Sequence, residues 1–344
     1  MTSELILILR DFFARSEAPE PESTPARLPA LESLLAMADR APLPDGWRAS
    51  LAGRFATTEV AAMAPAAAAA LAWLAAPALP AVQYWFATPV HYFAGLDSVH
   101  LHPDGLLQLS DSAQQSLVAD FKSVFGQTPW GLHSLGRREL LLSGPPLAQS
   151  AQDPAQFAGR DPAGGLPRGA AAATLRRLGA EIEMWLHEHR INLERARNGQ
   201  LPVSALWLWG ALPFHAATPE AAAATASPGN DQLYGEDAYA EALWRLRRGH
   251  TARGHTAPLP AHFEAMGGSG GGRRVVLYPT LGSAGLTAAL QRLDHDWLLP
   301  ALAALRAQQL SAIELLAGSY WYRLRWWQLA RFWRQRPLWW ERLA

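Results

Sequence analysis

Apolar residues in this chain follow two rhythms. At Leu31, Leu34, Leu35 and Ala38 they recur at helical spacing, which predicts a helix over 31–40. Further helices are expected over 47–55 and 66–74. Residues 4–9 form a short apolar run, read as a buried strand or the start of a helix, while 83–86 and 99–101 read as strands. His102-Pro103-Asp104-Gly105 has turn chemistry, because proline presets one φ and glycine accepts a positive one. Residues 99–101 and 106–109 are therefore expected to pair as a hairpin. Ser110 or Asp111 can cap a helix running to Phe125. A second hairpin is expected where 131–135 and 139–142 flank Gly136. Residues 16–29, rich in Pro and Glu, read as a loop.

The longest amphipathic stretch is 170–197, with Leu175, Leu178, Ile182, Trp185, Leu186 and His189 on one face. Asn198-Gly199 suits its left-handed end. A strand over 203–209 follows, then a low-complexity loop, a helix over 234–248 and a second loop ending in a glycine tract. A strand over 275–278, a helix over 285–306, paired strands at 313–316 and 320–325 and a short helix at 328–332 complete the pattern. Strand–helix alternation favours an α/β fold, a mixed sheet with flanking helices. Residues 145–167, rich in Pro, Gly, Ala and Gln, mark the expected boundary. A smaller α+β lobe would span 1–150 and an α/β lobe 168–344.

Composition narrows the function. Thirty basic and thirty acidic residues cancel, so no global field draws nucleic acid or anionic membrane to the chain. Lys122 is the only lysine among them. There is no cysteine, which excludes disulfides, thiolate metal sites and thiol nucleophiles. No run approaches the ~18 apolar residues of a membrane span. Residues 5–9 lack the basic start of a signal peptide, so a cytoplasmic protein is expected.

Few motifs carry chemistry. His187 and His189 are two positions apart, about 200° around a helix, so they cannot face one ion as an i, i+4 pair does. One ring is expected to be packed and the other to meet solvent or a ligand. Gly267-Gly268-Ser269-Gly270-Gly271 fits G-x-S-x-G but follows a loop and precedes a strand, the wrong context for a nucleophile elbow. Gly282-Ser283-Ala284-Gly285 follows a strand and opens a helix, where free amides attract anions, and makes Ser283 a ligand candidate. Asn192, Arg195 and Arg197 stand at a helix end before a strand. They serve as dipole partners there or line a pocket for a carboxylate or phosphate. Between 321 and 342, Trp326, Trp327 and Trp333 interleave with Arg331, Arg334 and Arg336. Such a segment closes a core, forms a protein hot spot or stacks on single-stranded nucleic acid.

Residues 186–210, LHEHRINLERARNGQLPVSALWLWG, resemble the regulatory protein RpfE family of proteobacteria. The shared pattern is a helix ending in H-x-H-P-V-N, then R-x-x-x-G, then P-V-N-S-L-W-x-W-G-G-G. Here it reads His187 to Asn192, Arg195 to Gly199 and Pro202 to Gly210. Likeness extends to 28–39, to Pro89-Val90-His91, to 99–101 and to 331–338. Ser204 stands where that family has Asn, and Ala211-Leu212 replace two glycines. The second half is also distantly similar to archaeal-type cofactor-independent phosphoglycerate mutases, which implies an alkaline-phosphatase-like fold. Those enzymes use two metal ions and a Ser or Thr nucleophile, with Asp and His ligands at strand ends. The present chain offers Pro279-Thr280-Leu281-Gly282 and Ala317-Gly318-Ser319 at those places, and Asp294-His295-Asp296 falls in a helical pattern.

These readings imply a non-catalytic regulatory or scaffold protein with no cofactor and no bound metal, acting through a protein partner. His187, His189, Asn192, Arg195, Arg197, Trp207 and Trp209 would line a remnant cleft, and the Trp/Arg segment would meet the partner. Two alternatives stay open. One is an accessory factor for single-stranded nucleic acid or for an exonuclease, since the resembling family is encoded beside a single-strand exonuclease. The other is a phosphoglycerate-mutase-like enzyme.

Overall fold

The structure is a computed structural model. It describes residues 3–10, 26–44, 46–75, 82–95, 98–136, 139–147, 149–213, 231–248, 256–266, 272–279, 286–331 and 333–343. Its strands are β1 (Ser3–Leu9), β2 (Asp39–Pro42), β3 (Gln83–Ala94), β4 (Val99–Leu106), β5 (Gly131–Ser134), β6 (Leu140–Gly144), β7 (Ala205–Trp209), β8 (Gln232–Tyr234), β9 (Thr256–Ala257), β10 (Arg273–Tyr278), β11 (Leu310–Ala317) and β12 (Tyr320–Arg325). Its α-helices are α1 (Pro29–Met37), α2 (Gly46–Phe55), α3 (Thr58–Ala61), α4 (Pro65–Leu74), α5 (Asp111–Phe125), α6 (Ala173–His187), α7 (Arg190–Arg197), α8 (Ala238–Arg248), α9 (Leu286–Arg292), α10 (Leu299–Arg306) and α11 (Trp339–Leu343). The α/β class is as the periodicity indicates, with two sheets and flanking helices.

The chain forms two compact units. The first joins 1–55, 217–237 and 248–344; the second joins 56–216 and 238–247. This differs from the division expected at 145–167, which falls inside the second unit. The reason is strand pairing. β1 lies between β10 and β11, parallel to both, so residues near each end of the sequence share one sheet. β7 pairs with β3, so the Trp strand belongs to the sheet begun much earlier.

The first unit carries a sheet of order β2-β12-β11-β1-β10-β8-β9. Strands β11, β1, β10, β8 and β9 run parallel, while β12 and β2 add antiparallel. The run Leu5-Ile6-Leu7-Ile8-Leu9 is buried throughout, as a central parallel strand with both faces covered must be. Leu5, Leu7, Val276, Ile313 and Leu315 pack on Leu31, Leu34, Leu302 and Leu305. Between α9 and α10 a π-helical turn spans Leu293–Leu298. From it the Asp294 carboxylate accepts a 2.7 Å bond from the Leu31 amide, capping α1, which has no side-chain cap of its own. Asp294 is therefore a structural group, and His295 beside it is exposed.

In the second unit, Phe86 of β3 pairs with both Leu141 and Trp209, and Val90 with both Leu106 and Ala205. β6 and β4 thus share one edge of β3 and β7 takes the other. Helices α5 and α6 contribute Leu117, Phe121, Leu178, Ile182 and Leu186 to a core with Trp85, Leu142, Leu206 and Leu208. Ser110 caps α5 by accepting from the Ala113 amide, and β5 and β6 form the expected hairpin.

Three local expectations differ from the structure. His102–Gly105 does not reverse the chain; β4 continues from 99 to 106 with a bulge opposite His91. A Cβ on Gly105 would lie 2.7 Å from the carbonyl oxygens of both His91 and His102, so only glycine closes that bulge. The helix expected over 170–197 breaks at Glu188-His189 into α6 and α7. Tyr234, expected to open a helix over 234–248, instead ends β8, which lies between β10 and the edge strand β9. The loop over 16–29 lies mostly outside the described residues.

Candidate functional site

The break between α6 and α7 is built by side chains. His189 caps α7: its Nδ1 accepts from the Ile191 amide at 3.2 Å, and its Nε2 meets Asp120 at 3.1 Å. An accepting Nδ1 assigns the proton to Nε2, so the neutral ring satisfies both contacts. Burial holds the His189 pKa below its usual value, against the pull of Asp120. Asp120 also accepts from Arg190 at 3.0 Å.

Asn192 is fully spent. Its Nδ2 donates to the carbonyls of Leu186 and Val203 at 2.8 and 2.9 Å, and its Oδ1 accepts from the Val203 amide at 2.7 Å. One amide side chain therefore joins the end of α6 to the approach to β7. Arg195 donates Nε to the Leu201 carbonyl at 2.6 Å. His187 and Arg197 are exposed. His187 and His189 part as the two-residue spacing indicates, one in solvent and one packed.

Trp207 and Trp209 do not line a cleft. Trp207 is 1% exposed, donates its indole N–H to the Gln152 carbonyl at 2.8 Å and stacks on Phe157. Trp209 is buried against Phe86 and donates to Thr88 Oγ1 at 2.8 Å. Both indoles are core groups whose single donor is satisfied inside the unit.

Beside this junction lies a polar group that sequence reasoning placed only within the family-like Pro89-Val90-His91. His91 Nδ1 meets the Pro202 carbonyl at 3.0 Å and Ser204 Oγ at 3.2 Å. Ser204 Oγ also accepts from the Tyr92 amide at 3.0 Å. The bulge sets the His102 ring 5.7 Å from that of His91. Burial lowers the His91 pKa, and His102 and Arg195 lower it further. No sequence periodicity could reveal this cluster, because the bulge and β7 bring together residues about a hundred positions apart.

In the first unit, the carboxyl ends of the parallel strands are where an open α/β sheet places ligands. Arg10, after β1, donates Nε to the Tyr278 carbonyl at 3.3 Å and Nη1 to the Glu236 carbonyl at 2.5 Å. Asp237 is buried and paired with Arg48 at 2.8 Å. On β11, the buried Glu314 is paired with Arg54 and with Arg323 at 3.2 Å, and accepts from the Trp321 indole at 3.0 Å. These residues do not fit the two-metal centre that the mutase resemblance implies. The carboxylates are neutralised by arginine, and a guanidinium spanning strand ends repels divalent cations. Among the described residues no group of three His, Asp or Glu is placed to hold a metal ion. Ser283 and the 267–271 glycine tract lie outside the described residues.

The C-terminal segment wraps α1. Arg331 Nη1 donates to the Met37 carbonyl at 3.1 Å and to Asp39 at 2.7 Å, and Arg334 reaches the Ala36 carbonyl at 3.5 Å. The Trp339 indole donates to the Ala26 carbonyl, and Leu343 is buried. In contrast, Trp326, Trp327 and Trp333 are 49%, 52% and 67% exposed. Trp326 and Trp327 meet edge to face, with Arg325 over Trp327. Arg336 is exposed.

No known family pattern matches this chain, and no curated protein does. Among solved structures it is similar to the cofactor-independent phosphoglycerate mutase of Thermoplasma acidophilum, with 16% identity and a TM-score of 0.37 over 94% of this chain and 89% of that one. It is also similar to the PH0037 protein of Pyrococcus horikoshii, with 12% identity and a TM-score of 0.45 over 94% and 87%. The α/β class rests on the two sheets described above. No helix among the described residues is long and apolar enough to cross a membrane.

Proposed function

We propose that this chain works as a non-catalytic scaffold or regulator that binds a protein partner through Trp326, Trp327 and Trp333. The carrying observation is their exposure on a segment whose arginines tie it to α1. Tryptophan held on an ordered backbone supplies a large contact area at little conformational cost and dominates protein hot spots. The arginine-neutralised carboxylates in the first unit and the RpfE resemblance support a role without phosphoryl chemistry.

A protein partner is favoured over single-stranded nucleic acid. Arg331 and Arg334 donate to main-chain carbonyls of α1, and Arg325 lies over Trp327, so three cations are engaged within the unit. The test is crosslinking in the source cell with the wild type and with the combined Trp326→Ala, Trp327→Ala and Trp333→Ala variant. Crosslinks that map to 321–342 and vanish in the variant, with thermal stability retained, are the expected result. Unchanged crosslinks would overturn the proposal, as would phosphoryl turnover dependent on Mn²⁺ or Zn²⁺. Binding to single strands that weakens with salt would favour nucleic acid instead.

A further inference from the structure

We infer that Arg195, His91 and His102 form a receptor for a phosphoryl group, or a tetrahedral oxyanion like it, at the outer end of β3 and β4. The first support is placement. Arg195 Nε is held by the Leu201 carbonyl and His91 Nδ1 by the Pro202 carbonyl, at 2.6 and 3.0 Å, so consecutive residues anchor both groups, near enough for the Arg195 charge to act on His91. The glycine-closed bulge then sets the His102 ring 5.7 Å from His91. None of the three positions depends on a ligand, and a pre-formed set of donors binds without reorganisation.

The second support is where the protons and open donors lie. A carbonyl only accepts, so His91 carries its proton on Nδ1 and leaves Nε2 unengaged among the described residues, as a lone pair when neutral and as an N–H when charged. His102 Nδ1 accepts from the Asp104 amide at 3.1 Å, so its proton is on Nε2. Arg195 spends only Nε, leaving both Nη groups for a bidentate contact. A carboxylate would engage the guanidinium fork alone. A phosphoryl group has enough oxygens to meet the fork and the imidazoles together.

The third support is an unbalanced charge. Burial lowers the Arg195 pKa, among the described residues no carboxylate lies within ion-pair reach of it, and its charge in turn lowers the His91 pKa. Glu183 on α6 acts on Tyr92 instead. Ser204 Oγ, the remaining polar neighbour, is engaged with the Tyr92 amide. A bound dianion would supply the missing countercharge.

The test is a titration of the full chain with inorganic phosphate, followed by nitrogen-resolved NMR of the histidine side chains at constant ionic strength. Acetate serves as the comparison anion. Phosphate is expected to shift the His91 and His102 signals saturably and to raise the pH at which His91 titrates, and acetate to do so far more weakly. Arg195→Gln should weaken the phosphate response about tenfold, the loss of a charge-assisted bidentate contact. Because Arg195 also anchors the chain at Leu201, His102→Phe is the second variant; it keeps a ring beside His91 and Phe93 but removes the N–H. Weakened binding in His102→Phe supports the site. A non-saturating response, an equal response to acetate, or full binding in His102→Phe overturns it.

Discussion

Trp207, in an apolar strand that follows an arginine-bearing helix, and Trp327, in a segment where tryptophan and arginine interleave, are treated by the fold in opposite ways. Trp207 is buried on β7, with its N–H on a carbonyl and its ring on Phe157. Trp327 is half in water with a guanidinium over its face. The polar residues diverge as well. Around β7, Asn192 and His189 spend their polar atoms closing the chain on itself, whereas in the C-terminal segment the arginines hold the backbone so that the indoles can face outward. The better-knit region is therefore the one around β7, and the C-terminal segment is the one with exposed apolar surface.

The largest test of this contrast is truncation of the two rings. Trp207→Ala should lower stability by about 3–5 kcal/mol, because it opens a cavity and orphans the Gln152 carbonyl. Trp327→Ala should change stability by less than about 0.5 kcal/mol while reducing partner crosslinks. Urea denaturation reads both. A large loss of stability on replacing Trp327 would make the C-terminal indoles structural and remove the basis for the proposed surface.

Much of the fold was legible because its signals are local. Ser110 announces α5 and the apolar spacing from Leu31 announces α1, while the apolar run at 4–9 is legible as a buried element but not as strand rather than helix start. Signals that depend on distant partners were not legible. The HPDG stretch has turn residues, but whether it turns or bulges is decided by β3, whose His91 carbonyl approaches Gly105. The break at His189 is decided by Asp120 on α5, which no pattern within 170–197 contains. Division into units failed for the same reason, since composition at 145–167 says nothing of β7 returning to β3. Within 187–197, a place at a helix end singles out Asn192 and Arg195, and only the carbonyls they meet separate a clamp from a ligand donor.

Asn192 tests the clamp. Asn192→Leu removes three hydrogen bonds and leaves the Leu186 and Val203 groups to find water, which should cost about 2–3 kcal/mol. Asn192→Asp should fail to recover this, because a carboxylate cannot donate to the two carbonyls. A smaller effect follows in the other region. Arg331→Gln gives up the contact with the Met37 carbonyl at the end of α1 and should cost about 1 kcal/mol, the half-exposed Asp39 contributing little. If the same change weakens binding to single-stranded DNA without altering stability, the arginines serve phosphates and the comparison between the two regions must be redrawn.

The smallest expected effect is a slope with pH. Burial lowers the folded-state pKa of His189, and those of His91 and His133, below the ordinary value of 6.5. The unfolded chain therefore takes up these protons first on acidification. The stabilisation is complete above about pH 6.5 and is lost as pH falls from there through the depressed folded-state values. His189→Asn keeps an acceptor for the Ile191 amide but removes one titrating ring, so its stability should vary less between pH 7.5 and 5.5 than that of the wild type, as measured by urea midpoints. His189 reports the region that is closed on itself, because its protonation must break the bond from Ile191 and so uncouple α7 from its cap. A slope that survives His189→Asn undiminished would mean that the ring at the α6–α7 break is not held neutral, and that the cap at Ile191 is not what fixes the junction.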